Sequence, residues 1–537
     1  MSRAAGSGPP RGGPAPCETE QTRPFLGEAA WQKRLRHVTF PDVREIDHEF
    51  LSLPLRVLAD AALQRARDLG ADHADFRLER VRGQRLVLAD GSVESSGETD
   101  TLGFAVRVVH NGTWGFAAGT ELTTDAAASV AARAVDVAKV ASVLSSDHIE
   151  LAPEPAHHDA VWVSSYEVDP FDVPVRDKTE LLADWSRRLL ADPRVNHVDA
   201  SLLQAKEQKF YADTAGTVTT QQRVRLAPVV EAVSTSDGRL ESMRTISPPV
   251  GRGYEYLPTV EAELAELPEL LAAKAAAPSV EPGEYDLVID PSNLWLTIHE
   301  SIGHATELDR ALGYEAAYAG TSFATPDGLG SLRYGSPIMN VTGDRTVEHG
   351  LSTIGYDDEG VATSSFELVT DGVLTGYQRD RRISRLTGHE RSNGCAFADS
   401  PATMPIQRMA NVSLAPDPRG PSTEELIRRV DDGIYVVGDR SWSIDMQRYN
   451  FQFTGQRFYR IRGGRVTGQL RDVAYQATTT DFWNSMTALG GPQTYVLGGA
   501  FNCGKGQPGQ VAPVSHGCPS ALFEKVRVLN TVREAGA

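Results

Sequence analysis

Tyr285 to Gly313 reads YDLVIDPSNLWLTIHESIGHATELDRALG, and the rest of the chain is best read outward from it. Tyr285 to Ile289 is short, alternating and β-branched, which predicts a strand. Asp290 stands where a helix N-cap belongs, and Pro291 takes the first helical position, where its missing N–H costs nothing. The spacing predicts a helix from there to Leu312, with Gly313 as its stop. Within it lie His299, Glu300 and His304. The common zinc-hydrolase helix carries H-E-x-x-H, which puts both imidazoles on one face. Here the spacing is one residue longer. At about 100° per residue the two histidines fall about 140° apart on a regular helix. A single π-type turn would bring them back together, and such turns favour functional sites. We therefore expect a widened turn between His299 and His304, with Gly303 absorbing the distortion. The bland alternative is two histidines on an ordinary amphipathic helix; a third ligand would decide between them.

The chain has 537 residues, enough for two or three domains with real cores. Hydrophobic content of 41% and charged content of 23% are ordinary for a soluble globular protein. A net charge of −18 argues against a broad phosphate-binding face, so nucleic acid is not an expected partner. Four cysteines, Cys17, Cys395, Cys503 and Cys518, are too few for a disulfide framework. No apolar run has bilayer-spanning length, so no membrane partner is expected. The first 25 residues are rich in Gly, Pro and Ala and hold no apolar run of signal-peptide type. We read residues 1–45 as a disordered tail and expect a cytoplasmic protein.

Leu53 to Leu69 reads as an amphipathic helix ending at Gly70. Two strand pairs follow, turned at Asp90-Gly91 and at Asn111-Gly112, then an alanine-rich helix from about Thr124 to Val143. After a connector comes a helix from Lys178 to Leu190 and long strands from His197 to Val233. FRLERVRGQRLVLADGSV and DASLLQAKEQKFYADTAGTV share a strand, Ala-Asp, Gly, strand pattern, which hints at duplication of 46–150 in 175–280. A helix from Val260 to Ala277 and a Pro-containing linker place the domain boundary near residue 280. Beyond it, turns at Asp371-Gly372, Gly433, Gly463-Gly464 and Gly490-Gly491 predict a β-rich barrel or sandwich over 281–537. An exposed helix, Thr423 to Val430, is capped by Ser422 or Thr423. The fold class expected is thus α+β: an α/β N-terminal region with antiparallel sheets, then a β-rich catalytic domain.

Near the end, Gly499 to Lys505 matches the first seven positions of a phosphate-binding loop, but Gly506 stands where Ser or Thr must bind magnesium. Gly506, Pro508 and Gly509 would also break the helix that must follow, so the nucleotide reading fails. Cys503, among glycines and beside Lys505, is placed for thiolate character. Two His and one Cys leave zinc a fourth position for water, as in catalytic sites. His516 and Cys518 compete for the third place.

HESIGHATELD, DDEG at Asp357 to Gly360, DGVLTGYQRDRRISRLTG at Asp371 to Gly388, QRMANVSL at Gln407 to Leu414 and NCGKGQPGQ at Asn502 to Gln510 together resemble the TldD half of the TldD/TldE (PmbA) metallopeptidases, once called modulators of DNA gyrase. The resemblance runs from about Leu53 to the C-terminus. It implies one zinc per catalytic subunit, held by His299, His304 and Cys503, with Glu300 as general base. It also implies unfolded peptides as substrates and a TldE-like partner subunit, a homodimer remaining open. GIYVVGDRSWSID at Gly433 to Asp445 and the SHGCP after the cysteine loop depart from the family pattern, which bears on substrate preference. Glu307 reads either as an acceptor for an imidazole N–H or as a solvated charge. Arg408 and Asn411 read as substrate contacts or as structural residues, and Asp357 to Glu359 as turn chemistry. The rival function is a scaffold or regulatory subunit with a structural zinc.

Overall fold

The computed structural model describes residues 45–534 except 146, 237 and 238; the expected N-terminal tail, with Cys17, lies outside the described residues. An antiparallel meander opens the chain: β1 (His73–Ala89), β2 (Ser92–His110) and β3 (Thr113–Gly119). Asp90, Gly91, Asn111 and Gly112 all have positive φ, the requirement of two-residue hairpin turns whose twist matches the strands. The two predicted strand pairs share one long strand, β2, since Ser92 to His110 is continuous. After β4 (Ala160–Val163) come β5 (His197–Asp213), β6 (Val218–Ser236) and β7 (Arg239–Arg244). The sheet order is β3-β2-β1-β5-β6-β4, with β7 also beside β6.

Alternation gives this sheet two unlike faces. Phe76, Leu78, Phe104, Val106 and Phe210 point one way, against helices α1 (Leu55–Asp68) and α2 (Thr124–Ser142). Thr123 caps α2 by accepting the Ala126 N–H. The residues between them, Arg77, Glu79, Arg107, Lys209, Arg223 and Arg225, point the other way, and they too are buried. What covers them is the 356–403 region. Arg107 donates to Glu359 at 2.8 Å, Lys209 to Asp358 at 2.8 Å, and Arg77 to the Thr403 carbonyl at 2.7 Å. The helix α3 (Val175–Leu190) packs on β5, and the helix expected at Val260 to Ala277 is two, Leu257–Glu263 and Leu267–Ala275.

The C-terminal region is built on β8 (Gly283–Ile289), β9 (Asp432–Ile444), β10 (Asn450–Arg462), β11 (Val473–Thr478), β12 (Val496–Lys505), β13 (Gln510–Cys518) and β14 (Ala521–Asn530). Pairing runs β9-β8-β14-β11-β10, and β10 pairs again with β9, so five strands close into a barrel. Only β8 with β9 is parallel within it. Closure leaves no unpaired edge in the ring. The β-rich expectation is therefore met as a barrel, and the fold is mixed α+β. Gly433 is not a turn residue: it lies inside β9, where an added Cβ would come within 2.3 Å of the Asp286 carbonyl. Gly463-Gly464 and Asp371-Gly372 are turns with positive φ throughout. The helix predicted after Ser422 spans Thr423–Ile427, with Ser422 and Glu425 forming a capping box.

Candidate metal centre

β8 delivers the chain straight into helix α4 (Pro291–Ile298), whose cap is the expected one: Asp290 accepts the Ser292 N–H at 3.0 Å. Nearly every side chain from Pro291 to Arg310 is buried, so this helix is a core element rather than an amphipathic surface one. Asn293 pins it to the barrel rim, donating to the Gly438 and Thr454 carbonyls and accepting from Tyr475 Oη at 2.8 Å. Against this anchored frame the turn His299–Gly303 is a π-helix, and the His304 N–H donates to the His299 carbonyl five residues back at 3.0 Å. The widened turn is where the motif spacing puts it. Gly303 has an ordinary helical backbone, however, and its role is room: a Cβ there would lie 2.6 Å from Met409 Sδ. The helix does not continue to Leu312. Glu307 is extended and bridges to Gln378, before a last turn at Leu308–Ala311 and the stop at Gly313.

The bulge brings the His299 and His304 rings to a centroid separation of 4.6 Å. Cys503 arrives from β12, where a bulge between Ala500 and Cys503 shifts the register against β13 and re-aims the side chain. Its Sγ is 3.7 Å from His304 Nε2. One ligand-type atom from each of His299, His304 and Cys503 lies within 4.8 Å of the others, all three residues buried. Arg408 donates to the Cys503 carbonyl, which makes it a structural residue, and Asn411 likewise accepts the Ser352 and Ser515 N–H groups at 3.1 Å.

Hydrogen bonds fix which imidazole nitrogen is free. His516 Nδ1 lies 2.8 Å from the Val412 carbonyl, an acceptor only, so Nδ1 carries the proton and Nε2 the lone pair. That Nε2 is 2.7 Å from His299 Nδ1, which must then donate, leaving His299 Nε2 unprotonated. His304 Nδ1 lies 2.9 Å from Glu307, a carboxylate, and the same logic frees His304 Nε2. Burial holds His299 and His304 below the usual histidine range and pushes His516 well below it. Burial pushes the Cys503 thiol up, but His304 and then Arg408 outweigh it and leave it below its ordinary value. Lys505, the expected source of that effect, is spent elsewhere: its Nζ donates to Glu307 at 3.0 Å, Asp309 at 2.8 Å and Gln407 at 2.7 Å.

Glu300 is buried, and one of its oxygens accepts from Arg448 Nη1 at 3.1 Å. Arg448 was not singled out from the sequence. It sits at the tip of the β9–β10 hairpin with φ of 62°, in a turn whose N–H groups are tied to the Asp445 carboxylate. Of the other candidates, Cys518 is buried with its thiol against the Pro291 carbonyl, and Cys395 is buried with its thiol pushed up to about 12 by desolvation. Asp357 accepts three backbone N–H groups, the expected turn chemistry. Gly499 to Lys505 form a strand, not a phosphate-binding loop.

The family matches set this residue set and barrel-plus-sheet fold among the metallopeptidases. Residues 282–530 match the model of the PmbA/TldA metallopeptidase C-terminal domain, and residues 74–138 match domain 1 of the same metallopeptidases. The chain belongs to the PmbA/TldD family. Among its relatives is a metalloprotease of Methanothermobacter thermautotrophicus, 27% identical over 91% of this chain and 100% of that protein. Another, a zinc metalloprotease TldD homolog of Saccharolobus solfataricus, is 22% identical over 87% of this chain and 98% of that protein. Two solved structures share the fold. A candidate modulator of a DNA gyrase from Thermotoga maritima has a TM-score of 0.71 at 17% identity, covering 88% of this chain and all of that one. TldE from Thermococcus kodakarensis has a TM-score of 0.65 at 14% identity, covering 88% and 99%.

Proposed function

We propose that this chain is the metal-bearing subunit of a zinc-dependent peptidase that hydrolyses small or unfolded peptides. The observation that carries the reading is that one ligand-type atom from each of His299, His304 and Cys503, all buried, lies within 4.8 Å of the others, with His516 and Glu307 beside the Nδ1 atoms of the two imidazoles. That donor set fits zinc, with a fourth position left for water or substrate. His299, His304 and Cys503 would hold the ion. When bound, zinc supplies Lewis acidity, making a water acidic near neutral pH and polarising a carbonyl.

The chain's own residues do the rest. Glu300, next to His299, takes the proton of the attacking water and returns it to the leaving amine. Arg448 holds the Glu300 carboxylate in one orientation. Glu307 and His516 each fix the tautomer of one ligand imidazole, so the ring nitrogens present lone pairs without rearrangement. A TldE-like partner subunit belongs to the same reading, supported by the likeness to the Thermococcus kodakarensis structure.

The test is metal content and peptide hydrolysis measured on the same preparations. Glu300→Gln should keep about one zinc per chain and lose on the order of 10²–10⁴ in turnover of an unstructured peptide. Cys503→Ala should lose the zinc itself. A Glu300→Gln protein with undiminished turnover ends the assignment of the base. A wild-type protein that holds zinc yet cleaves nothing, alone or with its partner, favours the scaffold reading.

A further inference from the structure

Arg448 stands beside a carboxylate read here as a base. Its Nη1 donates to one Glu300 oxygen at 3.1 Å, and the carboxylate accepts no other hydrogen bond among the described residues. A guanidinium stabilises the anion next to it and so makes that carboxylate a poorer base. Orientation alone does not call for the charge, because a neutral N–H or O–H donor fixes a carboxylate oxygen as well. The pairing favours hydrolysis only if the same charge acts again once Glu300 has taken a proton.

The backbone is committed to this placement. Arg448 is a non-glycine residue at φ of 62°, a conformation that costs on the order of 1 kcal/mol and marks functional positions. Its N–H donates to the Asp445 carbonyl at 3.1 Å, and its carbonyl accepts from Thr479 Oγ1 at 2.8 Å. Nη2 donates to the Ala319 carbonyl at 3.3 Å. The Met446 and Gln447 carbonyls just before it accept the Thr321 and Phe323 N–H groups at 2.8 and 2.9 Å. The hairpin tip is thus latched to the 319–323 segment, and the guanidinium is held in place rather than free to swing out. Two of its five N–H donors make the bonds to Glu300 and Ala319, so each Nη keeps a second N–H. A general base lies within about 3 Å of the water it activates, and that water attacks the carbon bearing the oxygen that becomes charged. Nη1, in contact with Glu300, is therefore one contact from that oxygen.

Resting on the peptidase reading above, we propose that Arg448 is a further catalytic residue, whose guanidinium donates to the scissile carbonyl oxygen as that oxygen becomes an anion. Glu300 takes a proton from water and becomes neutral. The hydroxide oxygen bonds to the carbonyl carbon, and the C=O π pair moves onto the carbonyl oxygen. One negative charge has then passed from the carboxylate to the new oxyanion, both beside the same fixed cation. On collapse the C=O bond reforms, the C–N bond breaks, and the Glu300 proton goes to the leaving amine. Glu300 is an anion again and Arg448 regains its partner. Donors already aimed at a developing oxyanion are among the largest contributors to acyl-transfer catalysis.

The test separates this role from mere positioning by removing what Arg448 positions. In zinc-loaded Glu300→Gln protein, calorimetry measures affinity for an unstructured peptide and for its phosphinic analogue, which carries a tetrahedral anion in place of the scissile amide. Adding Arg448→Ala should weaken the phosphinic peptide about tenfold or more and the parent peptide less than about threefold. Zinc content of about one per chain checks that the metal centre is intact. If the Ala variant does not hold zinc, Arg448→Lys decides, with a loss for the phosphinic peptide that exceeds the loss for the parent. Equal changes for the two ligands, or none, overturn the proposal and leave the peptidase reading standing. Wild-type protein that holds zinc but binds no phosphinic peptide ends both.

Discussion

His516 Nε2 accepts the Nδ1–H of His299 at 2.7 Å, and His516 itself is fixed by the Val412 carbonyl at 2.8 Å. One backbone carbonyl thus sets the protonation pattern of two rings in series. If this relay prepares His299 to bind metal, an acceptor is what position 516 must supply. His516→Leu should weaken zinc binding about 10–100-fold, the usual cost of losing a partner behind a ligand. His516→Gln, whose amide oxygen can accept the same proton, should recover most of it. Competition with a chromogenic chelator measures both, and equal affinity for the Leu and Gln variants would exclude the relay.

Lys505 makes a different contribution. Its ammonium is buried among Glu307, Asp309, Glu315 and Gln407, and Arg310 faces the same acids. Lys505→Met removes one cation and leaves its carboxylates in the interior, which should cost about 3–5 kcal/mol. Urea denaturation of the metal-free protein reads this directly. A loss below about 1 kcal/mol would mean that the acids are already protonated or reached by solvent.

What the sequence made legible, and what it did not, follows from the range of the forces involved. The turn at His299 to His304 could be anticipated because helical periodicity is local: five residues either share a face or need a bulge. The hairpin turns at Asp90-Gly91 and Asn111-Gly112 were legible for the same reason, as were the Asp290 and Ser422 caps. The burial of Arg77 and Glu79 is not legible in the same way: alternation with Phe76 and Leu78 is also the pattern of a strand with one solvated face, and it is the long-range cover from Asp358 and Thr403 that buries this one. Arg448 left no signal beyond an Asp445-centred turn, because its partner Glu300 is 148 residues away. Glu307 broke the helix for a bridge to Gln378, again a contact that spacing does not encode.

Gly303 permits a direct check of the packing at the bulge. An added methyl group would meet Met409 Sδ at 2.6 Å, with His516 Cε1 next at 3.5 Å. Gly303→Ala should therefore destabilise the protein by about 1–3 kcal/mol, the cost of overpacking a filled core. Backbone strain plays no part, so shortening the neighbour should relieve it: Gly303→Ala with Met409→Ala should be more stable than the sum of the two single changes. Thermal unfolding of the four proteins in the cycle gives the coupling. Strict additivity would place the role of this glycine in the backbone instead.

Glu79 gives the fold a pH dependence whose sign can be worked out. Burial, opposed by Lys209 and Arg77, raises its carboxyl to about 7, and neither oxygen has a hydrogen-bond partner that would favour the anion. The unfolded chain releases this proton near the ordinary value of 4.5, while the folded chain keeps it until about 7. Folding is therefore favoured by this group below about pH 4.5, and the contribution is lost as pH rises through 7. Asp357 and Asp380, also raised to about 7, act in the same window, so the wild-type slope contains more than one group. Glu79→Gln isolates the single contribution: between about pH 5 and 7 its stability should fall less steeply than wild type, by up to about 1.4 kcal/mol per pH unit. Chemical denaturation across that range measures the difference, and parallel curves would mean that Glu79 is ionised in the folded protein throughout.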